Sequence, residues 1–214
     1  MLAAEGKRVI VYSMKPRTPG FWLIVATVGL LALLPLQALA GMTPEEVKTF
    51  TETKAKAEKG DPVAQHQLGY YFSQGRGMAG SSEQAAAWFR KAAVQGYAPA
   101  QYSLGVRTFA GLGVASDQVQ AVAWYRKAAQ QGHAEAQAML GYLYAIGGNG
   151  VAKDEVEAYA YWNLGGITEQ TDIRNKLTIL VEKMSPSKIA AGQKRSKELQ
   201  KEIEAKIAAK KAGK

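Results

Sequence analysis

The chain has 214 residues, of which 27 are Lys or Arg, 18 are Asp or Glu, two are His and none is Cys. The hydrophobic content of 47% excludes a disordered chain, and the lack of Cys excludes disulfides, thiolate zinc sites and a cysteine nucleophile. The net charge of +9 sits at the ends, with +3 in residues 1–40, +6 in residues 185–214 and zero between them. A nucleic-acid-binding domain carries a basic face, so no nucleic-acid partner is expected for the neutral body.

Residues 1–40 have the pattern of a secretory signal peptide. An apolar run of sixteen residues, Phe21 to Leu36, follows the basic residues Lys15 and Arg17. It is shorter than the ~20 residues that span a bilayer, and Ala38-Leu39-Ala40 forms a small-residue cleavage pattern before Gly41. We therefore expect cleavage between Ala40 and Gly41, no stable membrane span in the mature chain, and a periplasmic or secreted protein.

Two properties of this segment stay open at the level of sequence. Counted from Met1 the signal has 40 residues, whereas from Met14 it has 27, within the usual range of about 15–30. Met14 is therefore the expected initiator, with an extended n-region as the alternative. An uncleaved signal that tethers the body to the membrane is the other alternative. Both versions place the body outside the cytoplasm.

Residues 41–59 are expected to form an N-terminal capping helix. Thr43 has the residue type of an N-cap, Pro44 stands at the first helical position, and Glu46 stands at the third. This arrangement is a capping box, in which each of two side chains binds the backbone of the other residue.

The body of the chain repeats with a period of 36 residues. The recurring positions include Gly60, Gly96 and Gly132; Ala64, Ala100 and Ala136; Leu68, Leu104 and Leu140, each followed by Gly; and Gly75, Gly111 and Gly147. Trp88-Phe89 recurs as Trp124-Tyr125 and, one residue later, as Tyr161-Trp162. A period in this range indicates a solenoid of stacked supersecondary units.

Each unit is predicted to contain two helices, A and B. In the first unit, helix A covers about 62–74, with Ala64, Leu68, Tyr71 and Phe72 on one face, and helix B covers about 82–95. Ser81, Asp117 and Asp154 are the expected N-caps of the three B helices, and glycines end the helices. Trp88 and Trp124 are expected to fill the core, so that Trp124 is the expected centre of the stack.

The second unit carries a family resemblance. Its residues LG at 104–105, GLGV at 111–114, Asp117, WYRKAA at 124–129 and QG at 131–132 strongly resemble the Sel1-like repeat, a relative of the tetratricopeptide repeat. The resemblance implies an all-α solenoid with repeats at 60–95, 96–131 and 132–168, in a bacterial-type member of the family. The pattern of residues 1–40 adds the expectation that this member is exported. The third unit departs from the pattern at Gly165-Gly166, where helix B is expected to fray or bend.

Residues 169–214 are assigned to C-terminal capping helices and a basic tail. One helix is expected at about 171–183, with Ile173, Leu177, Leu180 and Val181 on one side. Another begins after Ser185-Pro186 and runs to about Ala209. Because Lys, Glu and Ala dominate beyond Lys194, we expect this end to be solvated and dispensable for folding. The alternative is a basic tail that is attracted to an anionic lipid or polymer.

The sequence offers little for catalysis, and no enzyme activity, cofactor or metal is expected. Ser185-Pro186-Ser187-Lys188 matches S-x-x-K, but the S-D-N and K-T-G partners of that chemistry are absent from the sequence. Two histidines are too few for a three-histidine metal site, and His66 and His133 are expected to have polar surface roles.

The resemblance implies an interaction scaffold that binds a protein or peptide of the cell envelope through the concave surface of the A helices. The predicted partner-binding stripe contains Gln67, Tyr70, Tyr102, Ser103, Val106, Met139 and Tyr142, with His66, Ser73, Phe109 and Ala145 on the same faces. The stripe is unusually apolar for a solvated face. Three alternatives remain: part of the stripe belongs to the core, the same groove serves an envelope-polymer binder or hydrolase, or the protein is a tethered adaptor. The oligomeric state is left open.

Overall fold

The computed structural model describes residues 43–75, 80–165 and 171–213, so that the predicted signal segment lies outside the described residues. The described part contains nine α-helices, a single isolated bridge between Gly148 and Val151, and no β-strand. The helices are α1 (Pro44–Glu58), α2 (Pro62–Gln74), α3 (Ser82–Val94), α4 (Ala98–Ala110), α5 (Gln118–Ala129), α6 (Ala134–Ile146), α7 (Glu155–Gly165), α8 (Thr171–Val181) and α9 (Pro186–Ala212). The predicted all-α solenoid is confirmed.

Local sequence determines where most of these helices begin. Thr43 and Glu46 form the complete predicted capping box at α1, with Thr43 N donating to Glu46 Oε2 at 2.8 Å. Asp117 caps α5 through the backbone N–H of Gln120 at 2.9 Å. Asp154 accepts from the backbone of Glu157 at 3.1 Å, but the Glu157 carboxylate binds Arg195 instead of returning to the cap. Glu157, in the first turn of α7, therefore forms an ion pair with Arg195 of α9.

Within each repeat, helix A contacts helix B at a glycine that lies beneath an aromatic ring. The pairs are Gly69 with Phe89, Gly105 with Tyr125, and Gly141 with Trp162. A Cβ placed on Gly105 would lie 2.7 Å from the Tyr125 ring, too close for a carbon–carbon contact. The glycine of the repeated Leu-Gly pair thus allows close approach of the two helices, which offsets its low helix propensity.

Consecutive repeats are joined by a ladder of buried glutamines. The side-chain amides of Gln65, Gln101 and Gln137 donate to backbone carbonyls near the end of the preceding helix, at 3.1, 3.1 and 3.2 Å. Gln95 and Gln131 in turn donate to Gln65 and Gln101 at 2.7 Å. Each of these carbonyls also accepts the backbone N–H of the glycine three residues later, so the glutamine amide is its second donor at the C-terminal end of the helix.

The expectation that Trp124 forms the centre of the core is wrong. Tyr125, the next residue, is 1% exposed, whereas Trp124 is only partly buried and has Lys127 Nζ 4.3 Å from its ring centroid. The first repeat has the same arrangement, with Phe89 in the core and Lys91 above Trp88. In the first two repeats the second aromatic of the pair faces the helix A glycine, so it is the one that fills the core. In the third repeat both Tyr161 and Trp162 are buried.

The expectation that the C-terminal end is solvated is also contradicted. Helix α9 packs along α7, where Arg195 Nε donates to Glu157 Oε1 at 2.7 Å and Asn163 donates to Ser196 Oγ at 2.8 Å. Further along, Leu199 and Ile203 are both 6% exposed. Lys210 reaches the carbonyl of Gly96 at 3.4 Å, at the junction between the first two repeats. Helix α9 therefore contacts the stack from the third repeat back to the first.

Gly165 is the last described residue of α7, and the expected fraying or bending of helix B at Gly165-Gly166 falls partly outside the described residues. A Cβ at Gly165 would lie 2.9 Å from the carbonyl oxygen of Ala134, so the absent side chain permits close packing against α6. None of the described helices is long and apolar enough to cross a membrane.

Candidate binding groove on the helix A face

A groove runs between α4, α6 and α8 on the side of the stack formed by the A helices. Its larger part has a volume of about 460 Å³ and is floored by apolar and aromatic side chains. Those side chains are Tyr102, Phe109, Ala138, Met139, Tyr142 and Trp162. Apolar floors with a few polar groups at the edge are typical of ligand-binding clefts.

The groove continues into a smaller cavity of about 290 Å³ between α6 and α8. Tyr142, Trp162 and Lys176 line both parts. Lys176 Nζ lies 5.9 Å from the Tyr142 ring centroid and 2.7 Å from Asp172 Oδ2, which places a charged pair at the boundary between the two parts. Trp162 is held in the floor by a hydrogen bond from Nε1 to the carbonyl of Ala138 at 3.1 Å.

The predicted partner-binding residues separate into three that line the groove, three that lie outside it, and Ser103, which is buried. Tyr102, Met139 and Tyr142 line the groove. Gln67 and Tyr70 are exposed on α2 and Val106 is partly buried on α4, but these three do not line the groove. The partner-binding role of every residue in the stripe stays a prediction.

The expected exposure of Ser103 and His66 is wrong. Ser103 is 8% and His66 is 9% exposed, and His66 Nε2 lies 3.1 Å from Ser103 Oγ, so the pair joins α2 to α4. Burial lowers the pKa of His66 to about 4, with the charge of His133 as a second cause. At neutral pH the imidazole is therefore uncharged, and its surroundings are Tyr70, Phe89 and Tyr97.

His133 also has a packing role that its sequence position did not predict. It precedes α6 and stacks on Tyr102, with ring centroids 5.0 Å apart and an interplanar angle of 27°. Burial lowers its pKa, although Glu135 Oε2, 3.3 Å from Nδ1, acts in the opposite direction. Burial also raises the pKa of Tyr102, so its hydroxyl keeps its proton at neutral pH.

Two serines of the described residues lie near a basic side chain in space or in sequence, Ser103 near His66 and Ser185 near Lys188, and neither arrangement supports nucleophilic catalysis. Ser103 lies within α4, where the neighbouring backbone N–H groups bond inside the helix instead of forming an oxyanion site, and His66 is a weak base. Ser185 is the N-cap of α9, and Lys188 binds Glu155 Oε2 at 2.6 Å. Within residues 43–75, 80–165 and 171–213 there is also no cluster of three metal-ligating side chains.

Sequence reasoning missed the part of the groove that lies outside the repeats. Trp162 was identified only as part of the recurring aromatic pair, and Lys176 and Asp172 belong to α8, which the repeat pattern does not include. The spacing of Lys176, Ile179 and Leu180 places all three on one face of α8, and this signal could have indicated a second wall. Lys183 follows two residues after the end of α8.

The matches to known proteins agree with this architecture. The Sel1 repeat model matches residues 62–97, 98–133 and 134–165, about two residues later than the predicted boundaries of the first two repeats. The structure is similar to that of a Sel1 repeat protein from Oxalobacter formigenes, with a TM-score of 0.56 and 34% identity, covering 61% of this chain and 98% of that chain. No curated protein sequence matches the chain.

A second similar structure is a protective antigen of uropathogenic Escherichia coli strains that displays an SLR fold. It has a TM-score of 0.56 and 26% identity, covering 85% of this chain and 46% of that chain. The identity to the Oxalobacter protein over nearly its whole length and the three matched repeats show that this chain belongs to the Sel1 repeat family. Proteins of this family are generally scaffolds for protein–protein interaction and are typically not enzymes.

Proposed function

We propose that this Sel1 repeat protein is an exported scaffold that binds a peptide segment of an envelope protein in the groove between α4, α6 and α8. The observation that carries the proposal is the aromatic and apolar floor of this groove, which combines residues of two repeats with a wall from α8. Large aromatic side chains in a concave surface are the usual anchors of protein interfaces.

Tyr142 is the expected anchor within this surface. It is 42% exposed, which is a large area for an aromatic side chain, and this area is available to a partner. Tyr102 is half-buried and rests on Tyr125 and His133, so its ring is already positioned before a partner binds. Such pre-positioning reduces the entropy lost on binding.

Replacing Tyr142 by Ser is expected to reduce partner capture from envelope extracts by about tenfold, in the range of an interface anchor. The matched control is Val94→Ser, because Val94 is 68% exposed on a B helix outside the groove. Quantitative mass spectrometry of captured proteins, with the melting temperature of each variant, provides the measurement. Equal capture by Tyr142→Ser and the wild type would place the site elsewhere.

Export is the second part of the proposal, supported by the charged, apolar and small-residue pattern of residues 1–40. The expected N-terminal residue of the protein recovered from the periplasm or medium is Gly41. N-terminal sequencing after cell fractionation measures it directly. Recovery of the intact chain from the membrane fraction contradicts cleavage and favours the tethered adaptor.

A further inference from the structure

The smaller part of the groove, here called the α6–α8 cleft, combines exposed apolar side chains with lysines. Tyr142 and Ile146 stand one turn apart on α6, and Ile179 faces them from α8. These residues are 42%, 51% and 52% exposed, although all three line a concave cavity. Exposed apolar area in a concavity is a surface that gains free energy when an apolar group covers it.

The edge of the α6–α8 cleft is positively charged. Lys153, Lys176 and Lys183 line it together with one carboxylate, Glu155. Lys176 is paired with Asp172, and Glu155 is paired with Lys188 at 2.6 Å. Within the described residues, Lys153 and Lys183 form no salt bridge, although Lys153 acts on Glu155 through space. Two ammonium groups at the edge are thus available to an anionic partner.

From this combination, and resting on the function proposed above, we infer that the α6–α8 cleft selects peptide segments in which a large apolar side chain is flanked by carboxylates. The apolar side chain covers Tyr142, Ile146 and Ile179, and the carboxylates lie against Lys153 and Lys183. A volume of about 290 Å³ suits one large side chain better than a folded domain. Charge complementarity then distinguishes acidic from basic segments, since a like charge at this edge is repelled.

The test uses a phage-displayed library of random peptides panned on the whole mature protein. Enriched sequences are expected to place Asp or Glu within two residues of Leu, Ile or Phe. One enriched peptide, synthesised with a fluorescent label, then serves as the probe for anisotropy at about 50 mM NaCl, where surface charges are only partly screened. The double variant Lys153→Gln/Lys183→Gln is expected to weaken its binding about fivefold, in line with the loss of two exposed charge pairs.

The control is Lys197→Gln/Lys201→Gln, which removes two exposed lysines of α9 away from the cleft and is expected to leave binding within about twofold of the wild type. The inference is overturned if the enriched peptides show no acidic preference, or if both double variants bind the probe equally. Neither result contradicts the function proposed for the groove. Failure to enrich any peptide whose binding depends on Tyr142 overturns the proposed function, and the inference with it.

Discussion

Replacing Tyr125 by Ala is expected to lower the free energy of unfolding by about 3–5 kcal/mol, the range for removing a fully buried aromatic side chain. Tyr125 is 1% exposed and lies over Gly105, which has no side chain to fill the space that the ring leaves. The cavity would lie in the second repeat, which contacts both of the others, and a solenoid is stabilised largely through contacts between neighbouring repeats. Denaturant unfolding followed by circular dichroism measures the change.

Trp124→Ala is the matched control for this experiment. Trp124 is larger than Tyr125 but only partly buried, so its removal is expected to cost about 1–2 kcal/mol. The sequence alone assigned the larger effect to Trp124. A result in which Trp124→Ala is more destabilising than Tyr125→Ala would mean that the two residues have been assigned to the wrong faces of α5.

A truncation after Ala191 is expected to cost about 3–6 kcal/mol, because it removes Leu199 and Ile203, which are each 6% exposed. It also leaves Glu157 without Arg195 and exposes the surface of α7 around Tyr159, on which Gly192 packs. Stabilities of whole domains are of the order of 5–15 kcal/mol, so the truncated chain is expected to be partly unfolded at room temperature.

The control is a truncation after Ile207, which removes only residues that are exposed or lie outside the described part of the chain. Its melting temperature is expected to stay within about 4 °C of the full-length value, the change that 1 kcal/mol produces in a domain of this size. A chain ending at Ala191 that melts with the cooperativity and midpoint of the full chain would show that α9 does not stabilise the repeats.

Local signals in the sequence predicted most of the fold. The capping residues Thr43, Asp117 and Asp154 and the glycines after each helix gave helix boundaries close to those observed. The period of 36 residues predicted that each repeat consists of a helix A followed by a helix B. Both kinds of signal depend on short-range backbone chemistry, which is the same wherever the unit stands in the stack.

The predictions that proved wrong concern which face of a helix lies in the core, because this depends on how neighbouring helices pack. The repeat places two aromatics side by side at 124 and 125, and only the contact with Gly105 distinguishes them. In α9, Leu199, Ile203 and Ile207 follow a spacing of four residues that is a narrow apolar stripe within a Lys-rich sequence. The stripe is visible in the sequence, but the prediction of a solvated end relied on the high content of Lys, Glu and Ala instead.

The candidate groove could be predicted only in part for the same reason. Tyr102, Met139 and Tyr142 follow from the repeat, since equivalent positions of the A helices share a face. The wall formed by α8 does not, because α8 lies outside the repeats and its position depends on its own contacts with α7. The glutamine ladder at 65, 101 and 137 recurs at the period and was available to sequence analysis, but only the structure shows the carbonyls it satisfies.

Photo-crosslinking from within the groove tests the central claim most directly. A benzophenone amino acid at position 142 replaces one aromatic ring by another, and the same amino acid at position 94 reports on an exposed site of a B helix. If a partner peptide occupies the groove, irradiation in the cell envelope gives a discrete crosslinked species from position 142 and none from position 94. A discrete product from position 94 alone would contradict the account.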